Sequence, residues 1–228
     1  MTADRPPSRA RSASGSPAPA DEQPDPAGEG FPAGEREGPA RGVPRVPPGS
    51  RRELGTPAWT FIRLAGRRTG TRAPVLFRVL GRHRRLFRGW LHFAGRLMPG
   101  GVLPRRETEL VILRVAHLRD CRYEFDHHVR LGARAGVTRT DVARLVERGP
   151  EDDGWSPRER AILAAVDALQ AERDLDDAAW ARLREHLDDR ECIELIMLVG
   201  HYDMLATAIT ALRIPPDPPR RRRPLERR

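Results

Sequence analysis

Lysine and asparagine are both missing from this 228-residue chain, so each of its 41 positively charged side chains is an arginine. The pattern reads as the codon bias of a GC-rich genome rather than as a surface built for phosphate. Cysteine is nearly missing too. Two cysteines exclude a disulfide framework, hence a secreted mini-protein, and cannot fill a paired Cys-x2-Cys zinc ribbon. No uninterrupted apolar run approaches the roughly 18 residues of a membrane span. The opening residues MTADRPPSRARSASG lack the apolar centre of a signal peptide. These absences lead to the expectation of a soluble, cytoplasmic protein with no membrane partner.

The charge that is present is unevenly spread. The chain carries a formal +9, but residues 51–150 hold 22 Arg and 8 acids, whereas residues 151–212 hold 6 Arg and 15 acids. A basic half followed by an acidic half suggests self-complementarity, within one chain or between subunits, at least as readily as it suggests nucleic acid. The cluster Arg220–Arg223 follows Pro215, Pro216, Pro218 and Pro219. With no partner helix or aromatic beside it, it reads as a solvated tail, and no specific nucleic-acid partner is expected.

Residues 1–54 are rich in Pro, Ala, Gly and Ser, with Phe31 their one aromatic. They cannot bury enough apolar area to offset chain entropy and are expected to be disordered, as is the Pro/Arg-rich segment 215–228. Between them, residues 55–214 read as a single all-α domain of about seven helices. Apolar residues recur at spacings of three and four over 74–98, and Pro99-Gly100-Gly101 stops that segment. Ser156-Pro157-Arg158-Glu159 is a capping box with proline at the first helical position, and Asp188-Asp189-Arg190-Glu191 caps the last long helix. Residues 195–212 are apolar around most of the helix, as a central or interface helix would be.

One stretch concentrates reactive groups: Cys121-Arg-Tyr-Glu124-Phe-Asp-His127-His128. On a helix Cys121, Glu124 and His128 share one face. An imidazole can take a thiol proton, and a carboxylate can orient that imidazole or relay the proton. A helix start at Cys121 would favour thiolate through free N–H groups, whereas an ionised Glu124 would oppose it. The ordinary alternative is a small buried cysteine. Glu124-x-x-His127 lacks the second Glu-x-x-His that a di-iron bundle needs, so no metal and no other cofactor is expected. His201, in the apolar last helix, reads as a buried hydrogen-bonding residue or as a site wall facing Cys121. Trp90 reads as a core or interface anchor.

Glu109-x11-Cys121-x2-Glu124-x3-His128 resembles the Glu-x11-Cys-x2-Cys-x3-His pattern of the carboxymuconolactone decarboxylase and alkylhydroperoxidase D-like superfamily. The flanking Arg106–Ala116, His128–Gly136, Trp155–Leu163 and Glu194–Ala206 are similar as well. The resemblance implies a homo-oligomer, trimer or hexamer, with a buried site near the motif. It makes Glu109 the relay glutamate, Cys121 the first cysteine and His128 the histidine. Glu124 stands where the peroxide-attacking thiol belongs, so a Cys-x2-Cys disulfide cannot form. Three functions stay open. The first is a thiol-dependent peroxidase in which His128 activates Cys121 and an external thiol resolves the sulfenic acid. The second is acid–base decarboxylation or isomerisation of a small carboxylated lactone by Glu124 and His128. The third is a non-catalytic helical oligomer. For the substrate, Tyr123, Arg114 and His201 are the expected contacts, with Arg119, Arg122 and Arg130 as further cations.

Overall fold

The computed structural model describes residues 43–68, 71 and 73–217. Ten α-helices run through them: α1 (Arg51–Leu54), α2 (Thr56–Arg68), α3 (Val75–Leu80), α4 (Arg84–Leu97), α5 (Arg105–Leu118), α6 (Arg122–Arg134), α7 (Arg139–Glu147), α8 (Pro157–Ala171), α9 (Asp177–Arg184) and α10 (Asp189–Ala211), with a 3-10 turn at Gly149–Glu151. The all-α architecture is the expected one, with more helices than about seven. One reason lies in 74–98. Gly81 ends α3, and His83 Nδ1 then accepts the Leu86 N–H at 3.3 Å to start α4. The histidine thus acts as a helix cap and divides one apolar pattern into two helices.

The cap chemistry read from the sequence operates elsewhere. Ser156 with Glu159, Asp188 with Glu191 and Thr138 with Asp141 each form a reciprocal capping box. The packed region also extends past 55–214. Ser50 and Glu53 cap α1, Leu54 is 2% exposed, and the Arg45 N–H donates to the Leu212 carbonyl at 2.9 Å. Residues 1–42 and 218–228, including Arg220–Arg223, lie outside the described residues.

α5 is the central element. Every residue from Glu107 to Ala116 is buried, and α6, α8 and α10 pack around it. Such continuous burial brings polar groups into the core, where each needs a partner. Glu107 and Arg114 meet theirs at α8: Arg158 donates to both Glu107 oxygens (2.8 and 3.0 Å) and to Glu191 (2.7 Å), and Arg114 grips Asp167 with two bonds of 2.7 Å. Arg106 with Glu159 (2.8 Å) and Arg119 with Asp203 (2.7 Å) repeat the pattern. The basic and acidic halves of the sequence therefore pair within the chain.

α10 is long and apolar enough to cross a membrane by length and composition, and half of its most apolar stretch is buried within the fold. Its other face leaves Ile193, Met197 and Met204 about half exposed. Leu86 and Phe93 of α4 are exposed as well.

Candidate active site

The local turn between α5 and α6 sets the site. Asp120 adopts φ 48, a left-handed conformation that aspartate tolerates better than most residues. The Cys121 N–H then closes back on the Ala116 carbonyl at 2.8 Å, and Cys121 becomes the N-cap of α6. α6 can lie close against α5 because Gly132 faces it. A Cβ at Gly132 would come within 3.5 Å of the Glu109 Cβ and 3.2 Å of the Val137 Cβ. One turn before Gly132, His128 reaches Glu109 across that crossing.

His128 is held by carboxylates on both sides. Its Nδ1 donates to Glu109 Oε2 at 2.6 Å, and its Nε2 lies 3.4 Å from Glu124 Oε2. Arg105, one turn before Glu109 on α5, donates to Glu109 Oε1 at 2.5 Å. Glu109 is 0%, His128 4% and Glu124 5% exposed, which removes water as the competing partner. Burial alone would push the His128 pKa down, but the charge and hydrogen bond of Glu109, and then those of Glu124, outweigh it and hold it at about 9. With both glutamates as carboxylates and His128 as imidazolium, the row Arg105–Glu109–His128–Glu124 has zero net charge. That balance is what permits three buried ionic groups to share one row, with the partly exposed Arg105 at its outer end.

Cys121 is buried at 2%. Burial first, and the neighbouring Glu124 charge second, push its thiol up to about 12, although the backbone N–H groups of Tyr123 and Glu124 favour the anion. Among the described residues no hydrogen bond joins the sulfur to His128, whose two nitrogens face carboxylates. Cys192 is a separate buried free thiol on α10, lying near the Arg184 guanidinium (3.7 Å) and the Leu187 carbonyl.

Next to this row stands a group of rings. The Tyr202 ring meets His128 edge-on at 5.2 Å, His201 meets Tyr202 edge-on at 5.2 Å, and Trp90 lies nearly parallel to His201 at 6.0 Å. Burial lowers the His201 pKa to about 4 against the opposing pull of Glu124, so His201 is neutral near pH 7. Glu124 Oε1, His201 Nδ1 and Trp90 Nε1 are buried and have no hydrogen-bond partner among the described residues. No group of three or more His, Cys, Asp or Glu among those residues is spaced to hold a metal ion.

Residues 84–168, from α4 to α8, match the carboxymuconolactone decarboxylase family. The fold agrees: a peroxidase-related protein from Ralstonia eutropha JMP134, described as an alkylhydroperoxidase AhpD core, superposes with a TM-score of 0.69 over 78% of this chain and 94% of its own, at 19% identity. The matched residues carry the whole stretch from Glu109 to His128, and the fold is that of the alkylhydroperoxidase D-like proteins. Within the same fold, the debrominase Bmp8 superposes with a TM-score of 0.65 over 75% of this chain and 90% of its own, at 18% identity. The uncharacterized protein YdfG of Bacillus subtilis strain 168 is 27% identical over 101 residues, 43% of this chain and 68% of that protein.

On this scaffold the structure brings Glu109, Glu124 and His128 together and sets Tyr202 and His201 beside them. Two expected substrate contacts have partners within the fold. Arg114 is occupied by Asp167 and by the Leu145 carbonyl. The Tyr123 hydroxyl donates to Asp217 Oδ2 at 2.6 Å and accepts from the Leu76 N–H at 3.4 Å. His127 is buried, stacked on Tyr123 at 4.6 Å with Nε2 3.1 Å from the same Asp217 oxygen. Arg105 was missed, though its i, i+4 spacing to Glu109 was visible. Asp217 carried no local signal.

Proposed function

We propose that this protein transfers protons with Glu124 as the reacting group, isomerising a small uncharged ring compound. One observation carries the reading: both His128 nitrogens face carboxylates, and the row of ionic groups ends on a buried Glu124 oxygen that has no partner among the described residues. Glu124 Oε1 takes a proton from a carbon next to a carbonyl. His128 holds the other oxygen, Glu109 keeps the imidazole charged and oriented, and Arg105 fixes Glu109. Taking up that proton changes the row from zero to +1, which attracts the enolate just formed. Returning the proton to a different atom completes an isomerisation with no other reactant.

A neutral substrate is favoured over a carboxylated one because the arginines expected to hold a carboxylate are engaged. Arg114 pairs with Asp167, Arg119 with Asp203 (2.7 Å) and Arg122 with Asp126 (3.4 Å), and Arg130 is not without a partner. The exposed apolar faces of α10 and α4 support a homo-oligomer as part of this reading.

The N-cap position of Cys121 favours a second reading, a peroxidase that attacks peroxide through this sulfur and relies on an external thiol. A pKa of about 12 leaves roughly one thiol in 10^5 ionised at pH 7, which is why it ranks second. Deuterium incorporation into a panel of cyclic ketones and lactones, measured by NMR, together with peroxide consumption, separates the two. Proton exchange that survives in Cys121→Ser and is lost in Glu124→Gln supports the first reading. Peroxide consumption lost in Cys121→Ser, with no exchange on any panel member, overturns it.

A further inference from the structure

The Asp217 carboxylate, 2% exposed, sits in a pocket that distant parts of the chain build. Its Oδ1 accepts the Val75 N–H at 2.9 Å, and its Oδ2 accepts the Tyr123 hydroxyl at 2.6 Å. His127 Nε2 lies 3.1 Å from that second oxygen but out of hydrogen-bonding alignment, so it is buried with no hydrogen-bond partner among the described residues. Tyr123 is 4% and His127 6% exposed, and their rings stack at 4.6 Å, which fixes both polar ends. Burial, and then the Asp217 charge, raise the Tyr123 pKa well above its usual value, so the hydroxyl keeps its proton and donates. Val75, Tyr123 and, in its Nε2–H form, His127 thus offer three donors to one carboxylate, and Asp217 satisfies two of them. The arm that brings Asp217 in is lightly held. α10 ends at Ala211, and Ile214, 5% exposed, is packed in the core. Pro215 and Pro216 have no N–H to donate, and Pro216 is exposed. Among the described residues, the hydrogen bonds beyond Ile214 are those of the Asp217 carboxylate.

We propose that the Val75 N–H, the Tyr123 hydroxyl and His127 form a binding site for a small free carboxylate, which the arm 215–217 plugs with Asp217 and uncovers by swinging out at Ile214. The Asp217 side chain beyond its Cα is itself an acetate group, so the space it leaves fits acetate. The converging donors favour an anion over a neutral amide of the same shape. The tether supplies Asp217 at an effective concentration on the order of millimolar. A free carboxylate has no tether to obey and can turn toward His127 Nε2, gaining the bond that Asp217 leaves unmade. The site lies on α6 beside the face that carries Glu124 and His128. Neither of those residues belongs to it, so it stands or falls independently of the proton-transfer reading.

The test uses the full chain at pH 7 with acetate, its neutral isostere acetamide, and chloride at matched ionic strength. In Asp217→Ala, acetate should bind saturably, raise Tm, and shift the Val75 amide and His127 ring resonances. Acetamide should bind at least about tenfold more weakly. Adding Tyr123→Phe should weaken acetate binding roughly tenfold, the worth of one hydrogen bond to a charged group. In the wild type, acetate up to about 0.5 M, well above the effective concentration of the tether, should move the Asp217 amide resonance toward its unstructured position while the Val75 amide stays protected from exchange. The absence of a saturable acetate effect in Asp217→Ala, or an equal effect of acetamide or chloride, overturns the binding site. A wild-type Asp217 resonance that acetate leaves in place overturns the displaceable plug. The wild-type titration keeps the proposal testable if Asp217→Ala fails to fold.

Discussion

Replacing Glu109 with glutamine tests the ionic row most directly. The amide keeps the shape and can still accept from His128 Nδ1–H at the 2.6 Å site, but it removes one negative charge from a carboxylate that is 0% exposed. His128 has its pKa raised from 6.5 to about 9, which corresponds to about 3 kcal/mol of folding stability. A raised folded-state value for a base means this contribution is complete below the unfolded value near 6.5 and is lost as pH rises through about 9. Wild type should therefore lose stability between pH 7 and 9.5. Cys121, with a folded-state value near 12 against 9.0, adds a loss of its own above pH 9, so the difference between wild type and variant is the informative quantity. Glu109→Gln leaves the row at +1, with Glu124 as its one remaining carboxylate. It should cost about 3–5 kcal/mol at pH 7, or on the order of 10 °C in Tm for a domain of this size, and it should flatten the pH dependence over that range. Urea unfolding at pH 6, 7, 8 and 9 gives the stability. The His128 ring-proton NMR titration gives the midpoint, expected near 9 in wild type and at least about two units lower in the variant. A wild-type midpoint below 7, or one that Glu109→Gln leaves in place, would refute the account of a histidinium held between carboxylates.

Other expectations are simpler. Arg114→Met should destabilise by about 2–4 kcal/mol, because it strands Asp167 and the Leu145 carbonyl; chemical denaturation reads this, and unchanged stability would show that these bonds do not hold α5 to α8. Cys121 and Cys192 should both resist a thiol-labelling disulfide at pH 8 in the folded protein and react only on unfolding. Rapid native labelling of Cys121 would contradict its burial and its high pKa. Tyr123→Phe should speed amide hydrogen exchange at Val75 and across 213–217, since Asp217 loses the 2.6 Å hydroxyl bond beside its 2.9 Å bond from Val75 N–H. Unaltered exchange there would show that Tyr123 does not anchor the segment.

The sequence made the helices legible wherever a boundary is local. Ser156-Pro157 with Glu159 and Asp188 with Glu191 announce their helices because the groups that satisfy each other lie three residues apart. The motif face was legible for the same reason: one helix fixes Glu124 beside His128, and the family spacing placed Glu109. What the sequence could not show was where each side chain finds its partner across the fold. Arg114 looked available until α8 placed Asp167 against it, and Tyr123 looked like a substrate contact until Asp217, 94 residues later, arrived at its hydroxyl. Spacing gives His128 a face shared with both Cys121 and Glu124 but no ring orientation, so the thiol and the acid–base readings both stay open in the sequence; in the fold the two glutamates take both of its nitrogens.

Asp217 has one further consequence. Its side chain is 2% exposed, and it joins the N-terminus of α3 to Tyr123 and His127 of α6, while Arg45 fastens the segment before α1 to the close of α10. A version trimmed to the recognisable helical core would therefore forfeit two seams that no helix boundary marks. Stability screens on shortened variants should keep both Arg45 and Asp217, and attached reporters belong beyond Asp217 rather than at the end of the last helix.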